Sequence, residues 1–157
     1  MDDWGAALFE PQSVAVVGAS ASPGKVGHVV LRNLLATYPG DVHPIHPTER
    51  EILGRPCRPS VSEVPGSVDL AVIIVPATAT PAVLEDCGSA GVRAAIVISG
   101  GFAEAGPDGR ALQERVAAIG RAAGIRLVGP NCFGVINVHA GLNASIGIGV
   151  PEVGGVS

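Results

Sequence analysis

The chain has 157 residues, the size of one domain with a single core. Charged residues make up 15%, apolar residues 47% and aromatic residues 3%, against roughly 25% charged in an average soluble domain. A net charge of −4, with no interleaving of basic and aromatic side chains, argues against a nucleic-acid surface.

The opening residues Met1-Asp2-Asp3-Trp4 lack the basic segment of a signal peptide. The first strand signal is Val14–Val17, a β-branched run ending in glycine. It leads into Gly18-Ala19-Ser20-Ala21-Ser22-Pro23-Gly24-Lys25 and then a helical segment, Gly27–Thr37. A weaker strand, Asp41–Ile45, ends at His46-Pro47. After a turn at Leu53-Gly54, Arg55–Arg58 reads as a very short strand, and Pro56 within it places it at a sheet edge. Val68–Val75 is a strand, Thr80–Ala90 a helix and Ala94–Ile98 a strand that ends at Ser99-Gly100-Gly101. Asp108–Ala123 carries apolar residues at helical spacing with charges on the other face, and Asp108 and Gln113 read as helix-start residues. Ile125–Val128 is the last strand signal, followed by Gly129-Pro130-Asn131-Cys132. Residues 127–151 contain no Lys, Arg, Asp or Glu, but Pro130, Asn131, Asn137, His139, Asn143 and several glycines argue against a membrane span.

Strands alternating with helices imply parallel strands joined by right-handed crossovers. The expected fold is α/β: a Rossmann-like, doubly wound, mostly parallel sheet of about six strands with helices on both faces, in spatial order 3-2-1-4-5-6. The switch point then falls between the strand ending at Val17 and the strand ending at Val75, and ligands of such sheets bind in that crevice.

The glycine loop fits neither common phosphate cradle. A P-loop needs four residues between its glycines and a hydroxyl after the lysine. Here five residues separate Gly18 from Gly24, and Val26 follows Lys25. The dinucleotide fingerprint G-x-G-x-x-G fails at its first gap, and no carboxylate follows the second strand until Glu49. NAD is disfavoured on both counts, though a longer loop can still cradle a pyrophosphate. What remains is a helix start with hydroxyls at Ser20 and Ser22, open amides and the Lys25 cation, a combination that attracts phosphate. The alternative is a tight strand-to-helix turn whose glycines only permit close packing.

Among other candidates, Cys57, Cys87 and Cys132 form no C-x-x-C pair and are odd in number, which fits a reduced, cytoplasmic setting. Cys57 and Cys87 read as structural, and Cys132 as a small apolar filler more than a nucleophile, because sequence places no base beside it. His28 could reach a phosphate or serve as a cap. His43 and His46 have no third ligand at suitable spacing, so no metal site is expected. Glu104 reads as surface solvation unless another domain closes over it.

Four stretches, "SVAVVGASASPGKVG", "VDLAVIIVPA", "CGSAGVRAAIVISGGFAE" and "IRLVGPNCFGVIN", resemble the N-terminal CoA-binding domain of the NDP-forming acyl-CoA synthetases. The ADP-forming acetate–CoA ligase branch is most similar, and the succinyl-CoA synthetase α subunit is more distant. The resemblance runs from about Pro11 to Asn143. It implies coenzyme A as the ligand. The phosphates would lie along Gly18, Ser20, Ala21, Ser22, Pro23, Gly24 and Lys25, and the adenosine end near His46 and Pro47. The pantetheine arm would pass Val75-Pro76-Ala77 and Ile98-Ser99-Gly100 toward Asn131 and Cys132. Family members often carry Asn-Pro-Lys after the second strand, where this chain has His46-Pro47-Thr48, so Arg55 or Arg58 is a candidate replacement for the missing cation.

The resemblance further implies a reversible reaction of acid, CoA and ATP to acyl-CoA, ADP and phosphate, through an acyl phosphate and a phosphohistidine. It makes residues 1–157 one CoA-binding domain, the N-terminal fragment of a longer multidomain enzyme. The phosphohistidine, the ATP/ADP site and the other domains or subunit lie outside it, and His139 has the wrong flanks for that phosphohistidine. The chain alone is then expected to bind CoA without turning over, with no catalytic residue of its own. Two other readings stay open: a regulatory CoA-binding module fused to a protein lysine acetyltransferase, and a nucleotide-sensing Rossmann domain.

Overall fold

A computed structural model describes residues 3–147, 149 and 152–154. Five parallel strands form the central sheet: β1 (Ser13–Val17), β2 (Asp41–Ile45), β5 (Leu70–Ile73), β6 (Ala94–Val97) and β7 (Arg126–Val128), in the order β2-β1-β5-β6-β7. Their register runs straight across the layer, with Val16 opposite Val72 and Val72 opposite Ile96. Every residue of β1, β5 and β6 is buried, as strands covered on both faces must be.

Side-chain alternation splits the core in two. Val14, Val16, Leu70, Val72 and Ile96 face α1 (Asp3–Phe9), α2 (Val26–Thr37) and a hairpin formed by β8 (Gly134–Asn137) and β9 (Leu142–Ser145). Ala15, Val17, Ala71, Ile73 and Val97 face α3 (Thr80–Ser89) and α4 (Pro107–Ala122). The period of two in the strands thus delivers each aliphatic run to both layers at once.

The sixth strand expected at Arg55–Arg58 is not part of the sheet. Instead β3 (Glu51–Ile52) and β4 (Arg55–Pro56) form a separate antiparallel hairpin. Its two turn residues, Leu53 and Gly54, have φ of 50° and 74°, as a tight hairpin turn requires. One parallel bridge, Ile45 to Arg58, survives at the sheet's edge: Arg58 donates to the Pro44 carbonyl at 3.1 Å, and His46 donates to the Arg58 carbonyl at 2.9 Å. Pro44 turns its nitrogen toward that same edge, and a proline nitrogen has no hydrogen to extend the ladder. The spatial order expected from sequence otherwise holds, less its outermost member.

Helix α1, strand β3 and the β8–β9 hairpin carried no sequence expectation. The charge-free run 127–151 holds the last of these, which packs across α2 through Leu142 and Ala144. Among the described residues, no helix is long and apolar enough to cross a membrane.

Candidate functional site

β1, β5, β6 and β7 end on one side of the sheet, so the segments that follow them stand in a row along it. After β1, Gly18 has φ of 91° and donates to the Ile45 carbonyl at 3.1 Å, which brings His46 and Pro47 beside the loop. A Cβ on Gly18 would lie 2.6 Å from the Ile74 oxygen, and one on Gly27 would lie 2.0 Å from the Gly18 oxygen. These two glycines let α2 start directly against the loop and the neighbouring strand. Gly24 differs: its φ is 87°, and a Cβ there would meet nothing within 4 Å.

The loop's shape is fixed from within. Ser22 donates its amide to Ser20 Oγ at 3.1 Å, and Lys25 donates its own to the Ser22 carbonyl at 3.3 Å. The Lys25 carbonyl accepts from His28 and Val29, which makes Lys25 the residue that caps α2. His28 Nδ1 lies 3.2 Å from the Ser20 carbonyl oxygen, so this ring holds the loop rather than facing an empty site. Ala21, Ser22, Pro23, Gly24 and Lys25 are exposed around the first turn of α2, where helix amides have no intrahelical acceptor.

Next to it lies a cleft of about 550 Å³. It gathers seven residues singled out from sequence: Val75, Pro76, Ile98, Ser99, Gly100, Asn131 and Cys132. Val26, Ile74, Phe133 and Ile146 complete the lining, and no lining residue is charged. Gly18, the Ser20–Lys25 loop, His46 and Pro47 are not part of the lining. Of the four additions, Val26 and Ile74 adjoin residues already chosen. Phe133 follows Cys132 and could have been found as an apolar residue within a glycine-flanked loop; Ile146 gave no signal.

The cleft's loops are tied to one another. Asn131 adopts φ of 54°, which asparagine tolerates, and donates its amide to the Ser99 carbonyl at 3.0 Å. Cys132 Sγ sits 3.5 Å from the Val97 carbonyl oxygen as a half-buried filler. Glu104 does more than meet solvent. Its Oε1 accepts from the amides of Gly101 at 2.5 Å and Phe102 at 3.1 Å. Amide donation from Phe102, from Glu104 itself and from Gly101 holds its carboxyl below the usual carboxylate range. The neighbouring Gln113 accepts from the Ala103 amide at 3.2 Å, so helix α4 also braces this turn.

At the end of β2, His46 Nδ1 accepts from the amides of Thr48 at 3.3 Å and Glu49 at 3.2 Å, leaving Nε2 as the protonated nitrogen of the neutral ring. The Arg58 carbonyl accepts from the His46 amide at this corner, and Arg55 and Arg58 line a groove along the flank of β2 with Asp41, Val42 and His43. Burial lowers the His43 pKa, Asp41 opposes that shift, and Arg58 and Arg55 reinforce it. Burial pushes the thiols of Cys57 and Cys87 up, the latter to about 12, in keeping with structural roles. Among the described residues, no three His, Cys, Asp or Glu side chains group as metal ligands.

A family profile described as "CoA binding domain" matches residues 12–138. The chain is 45% identical over 150 residues to an ADP-forming acetate–CoA ligase of Archaeoglobus fulgidus, covering 96% of this chain and 22% of that one. It is 46% identical over 146 residues to the α subunit of an ADP-forming acetate–CoA ligase of Pyrococcus furiosus, covering 90% and 32%. The chain therefore spans between about a fifth and a third of these curated relatives. Among solved structures, a dinucleotide-forming acetyl-coenzyme A synthetase of Candidatus Korarchaeum cryptofilum, in complex with phosphate and ADP, superposes with a TM-score of 0.85 at 46% identity, covering 88% of this chain and 30% of that one. A Pyrococcus horikoshii protein gives 0.86 at 37% identity, covering 88% and 32%.

Proposed function

The chain belongs to the CoA-binding domain family, and from that membership we propose how the crevice receives coenzyme A and what enzyme it serves. One observation carries the reading. Val26, the first residue of α2, lines the uncharged cleft, so the cleft begins where the amide-rich loop ends. A ligand with a charged head and a neutral arm suits that sequence of surfaces.

The diphosphate lies against the exposed Ser20–Lys25 loop, with Gly24 allowing the backbone to approach and Lys25 supplying the full positive charge. The adenosine end rests near His46 and Pro47, where His46 Nε2–H is a neutral donor. The pantetheine arm passes Val75, Pro76, Ile98, Ser99 and Gly100 toward Asn131 and Cys132, where the Asn131 amide is already tied to the Ser99 carbonyl. Bound CoA supplies the thiol that accepts the acyl group. This chain's residues hold that thiol in place and shield it.

The two curated relatives named above are ligases and the Korarchaeum structure is a synthetase, which favours an ADP-forming acid–thiol ligase over a module fused to a lysine acetyltransferase. In that enzyme the acid, ATP and phosphoryl-carrier sites belong to parts outside these 157 residues, supplied in the same polypeptide or as a second subunit.

Titration calorimetry with CoA, dephospho-CoA, NAD and ATP in parallel tests the reading. CoA should bind most tightly, and dephospho-CoA should report what the 3′-phosphate adds. Equal or tighter binding of NAD or ATP would turn the assignment toward a nucleotide sensor.

A further inference from the structure

A second cavity, of about 390 Å³, lies against β7. Trp4 of α1, the last turns of α4 and the start of β7 enclose it, and it shares no lining residue with the cleft at the strands' carboxyl ends. Its walls are of two kinds. Trp4, Ala117, Ile125 and Leu127 supply apolar surface, while Arg121 and Arg126 supply positive charge. No Asp or Glu lines it. In a chain with ten Lys and Arg against fourteen Asp and Glu, this cavity reverses the overall charge.

Arg126 is preset for a ligand. Its guanidinium carbon lies 4.4 Å from the centroid of the Trp4 ring, and Trp4 packs against the core beneath it. A guanidinium held over an indole has given up rotamer freedom in advance, and its N–H groups remain available to an oxyanion. Arg121 stands in the last turn of α4, where a cation offsets the helix's partial negative end. That accounts for its charge but not for its meeting Arg126 at one cavity. Among the described residues, neither arginine forms an ion pair. Gly120 lets α4 lie close, since a Cβ there would come 2.7 Å from Leu127 Cδ1. We infer that this cavity is a second ligand site, for a small amphiphilic anion. Its carboxylate or phosphoryl group meets Arg121 and Arg126, and its apolar body rests on Ile125 and Leu127. Guanidinium forks match both oxyanions, and the volume falls within the range of small-molecule sites. The inference does not rest on the CoA reading.

Trp4 is the only tryptophan, so its indole N–H gives one NMR resonance that reports on the site. Titrating the 157-residue chain with phenyl phosphate and with benzoate should move that resonance saturably, and the tighter of the two names the preferred oxyanion. Inorganic phosphate and benzyl alcohol each carry half of the ligand and should bind roughly tenfold more weakly than the tighter anion. Arg126→Gln and Arg121→Gln should each weaken that anion by about tenfold, through loss of a charged hydrogen bond. Arg115→Gln removes an exposed charge from α4 outside the cavity and should change affinity by less than about twofold, because solvent screens it. Thermal midpoints of the variants near that of the parent would show that folding is intact. Saturating CoA should leave the titration unchanged. The site is refuted if neither aromatic anion moves the resonance, or if benzyl alcohol or inorganic phosphate binds as tightly as they do. It is equally refuted if Arg115→Gln costs as much as Arg126→Gln, or if CoA displaces the anion.

Discussion

At the scale of single residues, Lys25 and Glu104 do opposite kinds of work. Lys25 is exposed and carries its charge at the mouth of the first turn of α2. A charged hydrogen bond to phosphate is worth about 1.5–3 kcal/mol, so Lys25→Ala should weaken CoA by roughly tenfold or more in calorimetry. Unchanged affinity would remove Lys25 from the phosphate site. Glu104 is a positioning residue: it shapes the Gly100-Gly101-Phe102 turn from outside the cleft. Because its carboxyl is held below the usual range, the clamp is complete above the unfolded-state value and is released as pH falls through the lower folded-state value. CoA affinity should therefore drop in acid more steeply in the parent than in Glu104→Gln, whose amide oxygen still accepts but does not titrate. Parallel acid profiles for the two proteins would assign the loss to other groups. Sequence left His28 open between a phosphate contact and a cap; its Nδ1 meets the Ser20 carbonyl, and His46 Nδ1 gathers two amides of its own turn.

At the scale of elements, the β8–β9 hairpin brings Ile146 to the lining of the cleft. The hairpin is pinned to α2 by Asn33, which is buried and donates through Nδ2 to the carbonyls of Ser145 at 3.0 Å and Gly147 at 2.9 Å. Asn33→Ala would leave these carbonyls without that donor, at a cost of about 2 kcal/mol. A fall in thermal midpoint of about 6 °C is expected, read by calorimetric melting. A midpoint within 1–2 °C of the parent, on the order of 0.5 kcal/mol, would show that water replaces the side chain. Sequence reading missed this hairpin for a physical reason. Leu142-Asn143-Ala144-Ser145 alternates, but its buried polar residues Asn143 and Ser145 satisfy one another and the chain around them, and such partners cannot be seen from composition.

At the scale of the whole molecule, the proposed ligase has its acid, ATP and phosphoryl-carrier sites outside these 157 residues. Purified residues 1–157 should therefore form no acyl-CoA from acetate, CoA and ATP, measured by ADP release or thioester formation. Sustained turnover would contradict the assignment of chemistry to other parts of the enzyme. The parallel sheet, its two helical layers and the row of loops at the strands' carboxyl ends were determined by the sequence itself. Aliphatic runs of strand length, broken by Gly, Pro or Ser, leave few topologies once right-handed crossovers are required. Tertiary structure alone decided the strand count, because Pro44 withholds its donor from the outer edge and the tight Leu53-Gly54 turn folds Arg55 back on Ile52. It likewise brought Ile146 beside Phe133. Those placements depend on contacts between residues distant in the chain, which local periodicity does not encode.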